Sequence, residues 1–416
     1  MLGPDEPRYA AIGRGMARTG DWIAPVLWGR PWFEKPPLLY WMTGAATRIG
    51  LGPDLAPRLP NTLLGWGFLV FLWLFLRREF GDEAALISAA ILGTSAGWVA
   101  YSYVAVTDIP LSAMFCAAML IALYRRGIAW SIAAGALLGL AVLAKGLVPL
   151  ALFAPLVWPL RSRIRDLALI GGACVAVALP WYALMTARFG AAFLVDFIWK
   201  HHFERFATDA LAHVRPWWFY IPALLGALVP WTPLLALVRR DARVSFLLVW
   251  LGYALVFFSA ARNKLPGYIL PLLPVIAVVI GVCARQVRYG RAMLAACGLL
   301  LALLPVGAAM APDALAHGLS KASLQSAPWM LPALCVGLAI ICAAVPARRA
   351  SAALAVGAVA IVLGCKVMAL PAIDQRASAR RVYDASRPEC LAPNLDRNSV
   401  YQMDYYAGRD LPECAK

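Results

Sequence analysis

The sequence predicts an all-α polytopic membrane protein, and three observations lead to this prediction. Only 14% of the 416 residues are charged, and the mean hydropathy is +0.71, whereas roughly a quarter of a soluble protein is charged. The apolar residues fall into runs of roughly 18 to 23, the length of a helix that crosses a bilayer. Clusters of arginine follow alternate runs, as in multi-pass proteins.

The hydropathy pattern predicts about twelve membrane spans. We place them at residues 56–78, 84–104, 107–124, 128–144, 146–160, 166–187, 217–238, 244–261, 265–284, 291–311, 328–346 and 349–370. Residues 37–51 are apolar but too short to cross a bilayer, and we expect an interfacial or partly re-entrant helix there.

The loops between the spans alternate in charge, and this alternation predicts the orientation of the chain. One set is short and basic, and the positive-inside rule places it in the cytoplasm; its arginines include Arg77, Arg78, Arg125, Arg126, Arg161, Arg163, Arg165, Arg239, Arg240, Arg243, Arg285, Arg288, Arg291, Arg348 and Arg349. We expect an outer-face loop with interfacial helices (1–55), a bundle (56–370) with an outer loop (188–216), and a small outward C-terminal segment (371–416).

The net charge of +16 does not indicate nucleic-acid binding, because the arginines follow the spans and form no basic face interleaved with aromatic residues. Residues 1–55 are expected on the outer face, yet neither a span nor a signal peptide precedes them. We therefore expect that a preceding helix is missing from this sequence.

The cysteines separate into two groups. Seven lie in apolar stretches and are expected to be packing residues: Cys116, Cys174, Cys283, Cys297, Cys335, Cys342 and Cys365. Cys390 and Cys414 lie in the polar C-terminal segment, and they either form a disulfide or remain free thiols. An oxidising compartment favours the disulfide.

Two acidic residues open the chain in the stretch DEPRYA. Asp5 is suited to act as a general base or as an electrostatic anchor for an acceptor, with Glu6 beside it. If a helix begins at Pro7, Arg8 lies one turn from Asp5, and Tyr9 follows it. The alternative is that Asp5 or Glu6 simply caps a helix.

Three further outward segments carry candidate residues. Glu34 and Lys35 precede a double proline, which holds them at the membrane surface, although an ordinary surface turn has the same pattern. Asp108 begins a span and is either a site residue or an N-cap. Lys145 interrupts a long uncharged stretch and precedes a glycine; it is suited to a phosphate, although interfacial lysines also snorkel.

Two outer segments bring further cations and the histidines. Arg262 and Lys264 precede a Gly-Tyr pair that contains Tyr268, and paired cations suit a phosphate, with snorkelling as the alternative. His201 and His202 are adjacent, so they point to different sides of a helix and do not form a two-ligand metal site. One of them together with Glu204 or Glu34 could still bind a divalent metal ion, so such an ion stays an open alternative as a cofactor.

Outward acids and outward cations beside a lipid phase favour group transfer from a lipid-phosphate donor. Lysine and arginine stabilise the charge that develops on a phosphate leaving group, and an aspartate orients the acceptor or takes its proton. A lipid or sugar-phosphate transporter is the less favoured alternative, because its polar residues should lie near mid-membrane on broken helices.

The motifs DEPRYA, GDWIAP, FEKPP, VTDIPL, LAKG, the HH pair and NKLPGYILPLLP occur in this order over essentially the whole chain. In this combination the sequence resembles the bacterial lipid A aminoarabinose transferases, and the wider GT-C class of protein O-mannosyltransferase-like membrane glycosyltransferases. The resemblance implies a GT-C-type bundle with a further helix ahead of Asp5. It also implies outer-face catalytic loops and a C-terminal outward domain, of which residues 371–416 are a short version.

The resemblance implies inverting transfer of a sugar from an undecaprenyl phosphate donor to an outward acceptor. A lipid A phosphate is the expected acceptor and 4-amino-4-deoxy-L-arabinose a candidate sugar; protein or another envelope glycan remains the alternative acceptor. Asp5 matches the catalytic aspartate, with Glu6 beside it. The substrate-binding positions implied are Arg8, Tyr9, Glu34, Lys35, Asp108, Lys145, Arg262, Lys264 and Tyr268. The implied location is the inner membrane, with the site on the periplasmic face.

Overall fold

Helices form most of the chain in the computed structural model, which describes residues 1, 3–204, 215–284, 291–317, 330–344, 347–376 and 378–414. The N-terminal layer consists of α1 (Asp5–Thr19), an antiparallel hairpin of β1 (Val26–Leu27) and β2 (Arg30–Pro31), and α2 (Leu38–Arg48). The expected short helix within residues 37–51 is therefore present as α2, and its interfacial or re-entrant position stays a prediction.

The bundle follows in chain order. Its first half comprises α3 (Leu59–Glu79), α4 (Asp82–Thr94), α5 (Ala96–Ser102), α6 (Asp108–Tyr124), α7 (Ile128–Lys145), α8 (Val148–Phe153), α9 (Val157–Leu160) and α10 (Ile164–Leu194). Its second half comprises α11 (Tyr220–Ala227), α12 (Ser245–Ala260), α13 (Leu272–Ala284), α14 (Arg291–Leu300), α15 (Leu303–His317), α16 (Met330–Ala344) and α17 (Ala347–Arg376). The C-terminal segment carries α18 (Arg380–Ser386) and α19 (Arg397–Ala407).

The all-α membrane fold predicted from the sequence is confirmed. Among the described residues, six helical stretches are long and apolar enough to cross a membrane: Leu59–Glu79, Ile128–Lys145, Ile164–Lys200, Pro266–Ala284, Ala292–Ala314 and Ala353–Arg376. A pair bent by 61°, α4 with α5, adds a broken span. Five shorter apolar helices are Asp108–Tyr124, Val148–Leu160, Trp217–Ala227, Ser245–Ala260 and Ala333–Ala344. Each of these segments overlaps one predicted span.

The spans pack closely where small residues face a neighbouring backbone. A Cβ added to Gly135 of α7 would lie 2.3 Å from the Ile170 carbonyl oxygen of α10, and one added to Gly139 would lie 2.8 Å from the Cys174 carbonyl oxygen. Small residues four apart allow helices to approach closely in a membrane. This contact fixes α7, whose last residue is Lys145, against α10.

The opposite kind of surface runs along α3. Leu63, Trp66, Val70 and Leu74 are all exposed and recur every three to four residues, so they form one helical face. An exposed apolar stripe of this length suits contact with lipid.

The N-terminal layer has its own core, in which Tyr9, Ile12 and Met16 of α1 pack with Leu39 and Tyr40 of α2. The C-terminal segment joins this core through the buried Tyr405 of α19. Cys390 and Cys414 form a disulfide, which selects the pairing alternative. The seven cysteines expected to be packing residues are free and buried, as predicted.

One segment differs from the expectation. We predicted an outer loop at 188–216, but α10 runs to Leu194 and a π-helix continues from Val195 to Glu204. A kink at Gly190 interrupts α10 locally. Gly190 has φ +57°, a backbone conformation that glycine adopts without strain. Residues 205–214 lie outside the described part of the chain.

Candidate active site

The first cluster of site residues is built around Arg8, in the first turn of α1. Its guanidinium donates to the Asp5 carboxylate one turn earlier and to Glu34 Oε2 at 3.2 Å. Lys35 Nζ lies 3.4 Å from Glu34 Oε1. The sequence placed these residues in two separate motifs, and the fold brings them together.

Asp5 does not cap α1, so the capping alternative is wrong for this residue. The N-cap position is Pro4 and no side chain caps it; α1 begins at Asp5 rather than at Pro7. The Asp5 side chain is 41% exposed, whereas Arg8 is 5% exposed. Asp5 therefore presents a carboxylate to solvent, and the buried Arg8 holds this carboxylate in place. This arrangement suits a group that meets an incoming acceptor.

Aromatic rings surround the buried guanidinium. The Arg8 Cζ atom lies 5.3 Å from the centre of the Trp32 ring, 6.0 Å from Tyr9 and 5.1 Å from Tyr401. Burial acts to lower the pKa of Arg8, but Glu34 and Asp5 together raise it, so the cation persists. Burial, with Glu34 and Asp5, raises the pKa of Tyr9 well above its ordinary value, so its phenol stays neutral.

Glu6, the second acid of the motif, faces away from this cluster. It is fully buried, and its two oxygens accept hydrogen bonds from Arg58 Nε at 2.7 Å and Nη2 at 2.6 Å. Its Oε1 also accepts from the backbone N–H of Ala105 at 3.0 Å. These contacts anchor α1 to the bundle.

The second cluster lies at the outer-side turns of α6, α7 and α13 predicted from the sequence. Lys145 Nζ donates to Asp108 Oδ1 at 2.5 Å and lies 4.6 Å from the centre of the Tyr268 ring. Asp108 opens α6, but the N-cap position is Thr107 and no side chain caps it, so the capping alternative is again wrong. Lys145 is the last residue of α7, where Gly146 ends the helix.

Gly267 shapes this second cluster. A Cβ added to it would lie 2.8 Å from Asp108 Oδ1 and 2.7 Å from Tyr101 Cε1. Only a residue without a side chain fits against the carboxylate at this distance. The Gly-Tyr pair thus brings the backbone and the Tyr268 ring against the Asp108–Lys145 ion pair.

The remaining two predicted cations behave differently. Lys264 is 5% exposed, and its ammonium donates to the carbonyl oxygens of Ala261 and, at 3.2 Å, Arg215. Burial lowers the pKa of Lys264. Arg262, two residues earlier, is exposed. Lys264 therefore holds the shape of the turn, whereas Arg262 is accessible at the surface.

The two clusters are joined by one hydrogen bond. Glu6 follows Asp5 directly, and its partner Ala105 lies three residues before Asp108. Because both residues are buried, this bond fixes the start of α1 beside the start of α6. Asp5 and Asp108 therefore flank a single contact, although 103 positions in the sequence separate them.

The turn that carries Glu34 rests on aromatic residues that we did not single out from the sequence. The Phe33 ring centre lies 5.1 Å from Phe189 and 5.5 Å from Phe193, both on α10. Phe197 stacks on Phe193 at 5.3 Å. Positions 189, 193 and 197 recur every four residues, and this spacing was the available signal for a helix there.

Tyr401 is the other site residue that the sequence did not reveal. Its ring contacts Arg8 from a position 393 residues later in the chain, and no local pattern predicts such a contact. Among the described residues, no group of three or more His, Cys, Asp and Glu side chains is arranged to hold a metal ion. The side chains of His201, His202 and Glu204 lie outside the described part.

An apolar cavity of about 280 Å³ lies between α11, α12 and α13. Leu224, Leu248, Leu255, Leu272 and Ile276 are among its lining residues. Leu272 follows Tyr268 by one helical turn, so the cavity wall continues the segment that carries the second cluster. Its lining suits a hydrocarbon chain.

Comparison with known proteins places this chain in a family. Residues 34–185 match the family model described as dolichyl-phosphate-mannose-protein mannosyltransferase. The undecaprenyl phosphate-alpha-4-amino-4-deoxy-L-arabinose arabinosyl transferase 2 of Pseudomonas fluorescens is 34% identical over 304 residues, 67% of this chain and 51% of that protein. The corresponding Pseudomonas aeruginosa transferase is 33% identical over 317 residues, 70% of this chain and 57% of that protein. The chain thus spans about half the length of these curated relatives.

Solved structures agree with this assignment. The crystal structure of ArnT from Cupriavidus metallidurans bound to undecaprenyl phosphate superposes with a TM-score of 0.78 at 25% identity, covering 99% of this chain and 81% of that one. The oligosaccharyltransferase of Archaeoglobus fulgidus shares the fold, with a TM-score of 0.51 at 15% identity over 99% of this chain and 60% of that one. The chain belongs to the family of GT-C membrane glycosyltransferases that contains the lipid A aminoarabinose transferases.

Proposed function

We propose that the chain transfers a sugar from a polyprenyl phosphate, such as undecaprenyl phosphate, to an outward-facing acceptor. The observation that carries the proposal is the pairing of two acid–cation clusters, around Arg8 and around Lys145, joined by the Glu6–Ala105 hydrogen bond. One cluster offers an exposed carboxylate, and the other offers an ammonium group beside an aromatic ring. This division suits an acceptor on one side and a phosphate donor on the other.

In the proposed step, an acceptor oxygen forms a bond to the anomeric carbon of the sugar. The bond from that carbon to the donor phosphate oxygen breaks, and the polyprenyl phosphate leaves with the electron pair. Asp5 orients the acceptor and takes its proton where it carries one. The transfer inverts the anomeric centre, because a single displacement is enough and no covalent sugar–enzyme intermediate is required.

Lys145 and Arg262 are the proposed partners of the donor phosphate, because cations stabilise the charge that develops on it. Glu34, Lys35 and Asp108 shape the sugar site. Arg8 holds Asp5, Tyr9 lies beside Arg8, and Tyr268 lines the donor side. We infer that Lys264 acts on the turn, because its ammonium faces carbonyl oxygens. We likewise infer that buried Glu6 anchors α1 and leaves the proton transfer to Asp5.

The apolar cavity between α11, α12 and α13 is the proposed place for part of the polyprenyl chain, since its aliphatic lining matches a hydrocarbon. We further infer that the protein lies in a bacterial inner membrane with both clusters on the periplasmic face. The distribution of arginines supports this orientation. A lipid A phosphate is the proposed acceptor, and aminoarabinose is the first sugar to test because the relatives are named aminoarabinose transferases.

Mass spectrometry of lipid A tests the proposal. Cells that express the chain are compared with cells that lack it, and with cells that express Asp5→Asn or Asp82→Asn. Asp82 is a matched control, because it is an exposed aspartate that pairs with Arg77 far from either cluster in sequence. We expect an added aminopentose with the unchanged chain and with Asp82→Asn, and none with Asp5→Asn.

Other outcomes are equally informative. A different single-sugar increment would keep the reaction and change the donor sugar. An unmodified lipid A together with a newly glycosylated protein or envelope glycan would move the acceptor to the alternative class. Normal modification by a well-expressed Asp5→Asn variant would overturn the role of Asp5.

A further inference from the structure

We propose that the C-terminal segment is a working part of the site, in which the Tyr401 ring positions Arg8 and Arg397, and Arg397 receives the anionic group of the acceptor. This inference rests on the proposed function and deepens it, because it names the residue that meets the acceptor. It starts from the contact between Arg8 Cζ and the Tyr401 ring at 5.1 Å.

The contact joins the two ends of the described chain at the candidate catalytic residue. Arg8 binds both Asp5 and Glu34, so the position of its guanidinium sets the position of both carboxylates. A ring over a guanidinium attracts it by the cation–π interaction and excludes water. Tyr401 is therefore suited to hold Arg8 on the two acids without competing for them.

The segment that carries Tyr401 is itself held on the N-terminal layer. Tyr405 Oη donates to the Pro53 carbonyl oxygen at 2.6 Å, and Arg380 Nη1 lies 2.5 Å from Asp54 Oδ2. Asp396 caps α19 by accepting from the backbone N–H groups of Asn398 and Ser399. Together these contacts place the α19 face that bears Tyr401 over the start of α1.

A second cation lies at the same ring. Arg397 Cζ is 5.5 Å from the centre of the Tyr401 ring, and the residue is exposed. Its guanidinium forms no ion pair with a residue in the described ranges. Arg8 is buried and neutralised by two acids, whereas Arg397 offers its charge to the surroundings. An exposed planar cation that suits a phosphate group thus shares the Tyr401 ring with Arg8, the residue that binds Asp5.

This arrangement assigns the acceptor side of the reaction to α19. The ligand class is a phosphate-bearing acceptor, because guanidinium groups bind phosphate in a bidentate manner. The donor phosphate is left to the Lys145 cluster. The two sides are therefore expected to respond separately when residues of α19 are changed.

Kinetics of the purified full chain in detergent test the inference, with lipid A as acceptor and an undecaprenyl phosphate-linked aminopentose as donor. Tyr401→Ala and Arg397→Gln are each expected to raise the acceptor KM about tenfold, a change typical of losing one cation–π or ionic contact. Arg397→Gln should leave the donor KM within about twofold. Tyr401→Ala also releases Arg8 beside Glu34, so it should raise the donor KM as well, but less than the acceptor KM. Tyr401→Phe keeps the ring and should restore the acceptor KM.

Tyr383→Ala is the matched control, since Tyr383 is another C-terminal tyrosine, stacks on Tyr406 at 6.2 Å and is not one of the described rings at Arg8. It should change neither KM. Quantification of free thiols checks that the Cys390–Cys414 bond is intact in every variant.

The outcomes separate this inference from the proposed function. If the unchanged chain transfers no sugar to any acceptor, the proposed function fails. If the unchanged chain is active and Tyr401→Ala and Arg397→Gln keep the wild-type acceptor KM, the role of the C-terminal segment is refuted while the function stands. An equal rise in both KM values, or no rescue by Tyr401→Phe, also overturns the specific role of the ring.

Discussion

The Glu6 carboxylate accepts a hydrogen bond from the Ala105 backbone N–H at 3.0 Å, across 99 residues of sequence. The same carboxylate forms a two-pronged ion pair with Arg58. Three segments therefore meet at one fully buried acid: the start of α1, the residues before α3 and the residues before α6. The sequence suggests Glu6 as a catalytic residue beside Asp5. Its contacts instead connect the two clusters.

Glu6→Gln should destabilise the protein by about 3 kcal/mol, because removing one charge of a buried ion pair leaves the other without compensation. Thermal unfolding in detergent measures the change, with Glu83→Gln as control, since Glu83 is exposed in the first turn of α4. Combining Glu6→Gln with Arg58→Met should destabilise less than the two single changes added together. A Glu6→Gln protein of normal stability that transfers no sugar would instead make Glu6 a chemical participant.

Lys145→Met should raise the donor KM by at least about tenfold, because it removes the ammonium that pairs with Asp108 and faces Tyr268. The acceptor KM should change little. Lys200→Met provides the comparison, since Lys200 is an exposed lysine paired with Asp196 on the neighbouring π-helix. Equal effects of the two substitutions on the donor KM would show that Lys145 contributes only general positive charge.

Gly267→Ala tests the tight packing at the second cluster. The added methyl group would lie 2.8 Å from Asp108 Oδ1 and would displace the carboxylate or the turn. We expect about a tenfold loss in kcat/KM for the donor, as follows from a loss of about 1.4 kcal/mol. Gly226→Ala, on α11, has no atom within 4 Å of the added carbon and should be silent. An active Gly267→Ala enzyme would mean that the turn moves freely.

Asp404 predicts a pH dependence for the C-terminal segment. Burial raises the pKa of its carboxyl from 3.8 to about 6. The folded segment therefore binds the proton more tightly than the unfolded one, so its stability should increase as pH falls from about 7 towards about 4. The gain is on the order of 1–3 kcal/mol.

Asp404→Asn is the control for this titration, because an amide oxygen still accepts from the Leu411 N–H that Asp404 Oδ1 binds at 3.0 Å. The rate of limited proteolysis within residues 378–414, measured across the pH range, reports the stability of the segment. The difference between the two proteins should vanish near pH 4 and appear near pH 7. A constant difference across this range would contradict a raised pKa.

Loss of the Cys390–Cys414 bond should destabilise the C-terminal segment by about 3 kcal/mol, the chain-entropy value for a loop of this size, since 24 positions separate the two cysteines. Limited proteolysis of the Cys390→Ser/Cys414→Ser protein measures the effect. A reductant should sensitise the unchanged protein to the same degree and leave the double variant unaffected. Reductant sensitivity in the double variant would point to another cause.

The parts of the fold that the sequence predicted are those that depend on neighbouring residues. Hydropathy is a property of a short window, so the expected spans each coincide with an apolar helix in the described chain. Residues 188–204 of the expected outer loop 188–216 are helical, and the alternation of loop charges does not predict this local structure. Phe189, Phe193 and Phe197 already carried a helical spacing that packs under Phe33.

The site was predicted residue by residue and not as a set of contacts. Asp108 and Lys145 were both selected, but their ion pair spans 37 residues and depends on the packing of α6 beside α7. Capping was an open alternative for Asp5 and Asp108 because local sequence cannot distinguish a cap from a charge partner. Tyr401 had no sequence signal, since its contact with Arg8 depends on the position of the whole C-terminal segment.

The ion pairs at the two clusters also bear on how a charged substrate is selected. Arg8 is occupied by Asp5 and Glu34, Lys35 lies beside Glu34, and Lys145 is occupied by Asp108. At Lys145, the proposed partner of the donor phosphate, an arriving phosphate must therefore displace the Asp108 carboxylate rather than bind an unpaired cation. Inorganic phosphate, which gains little from the surrounding lipid and aromatic surfaces, would be a poor competitor in such an exchange. Discrimination would then come from how completely a ligand compensates the displaced acid.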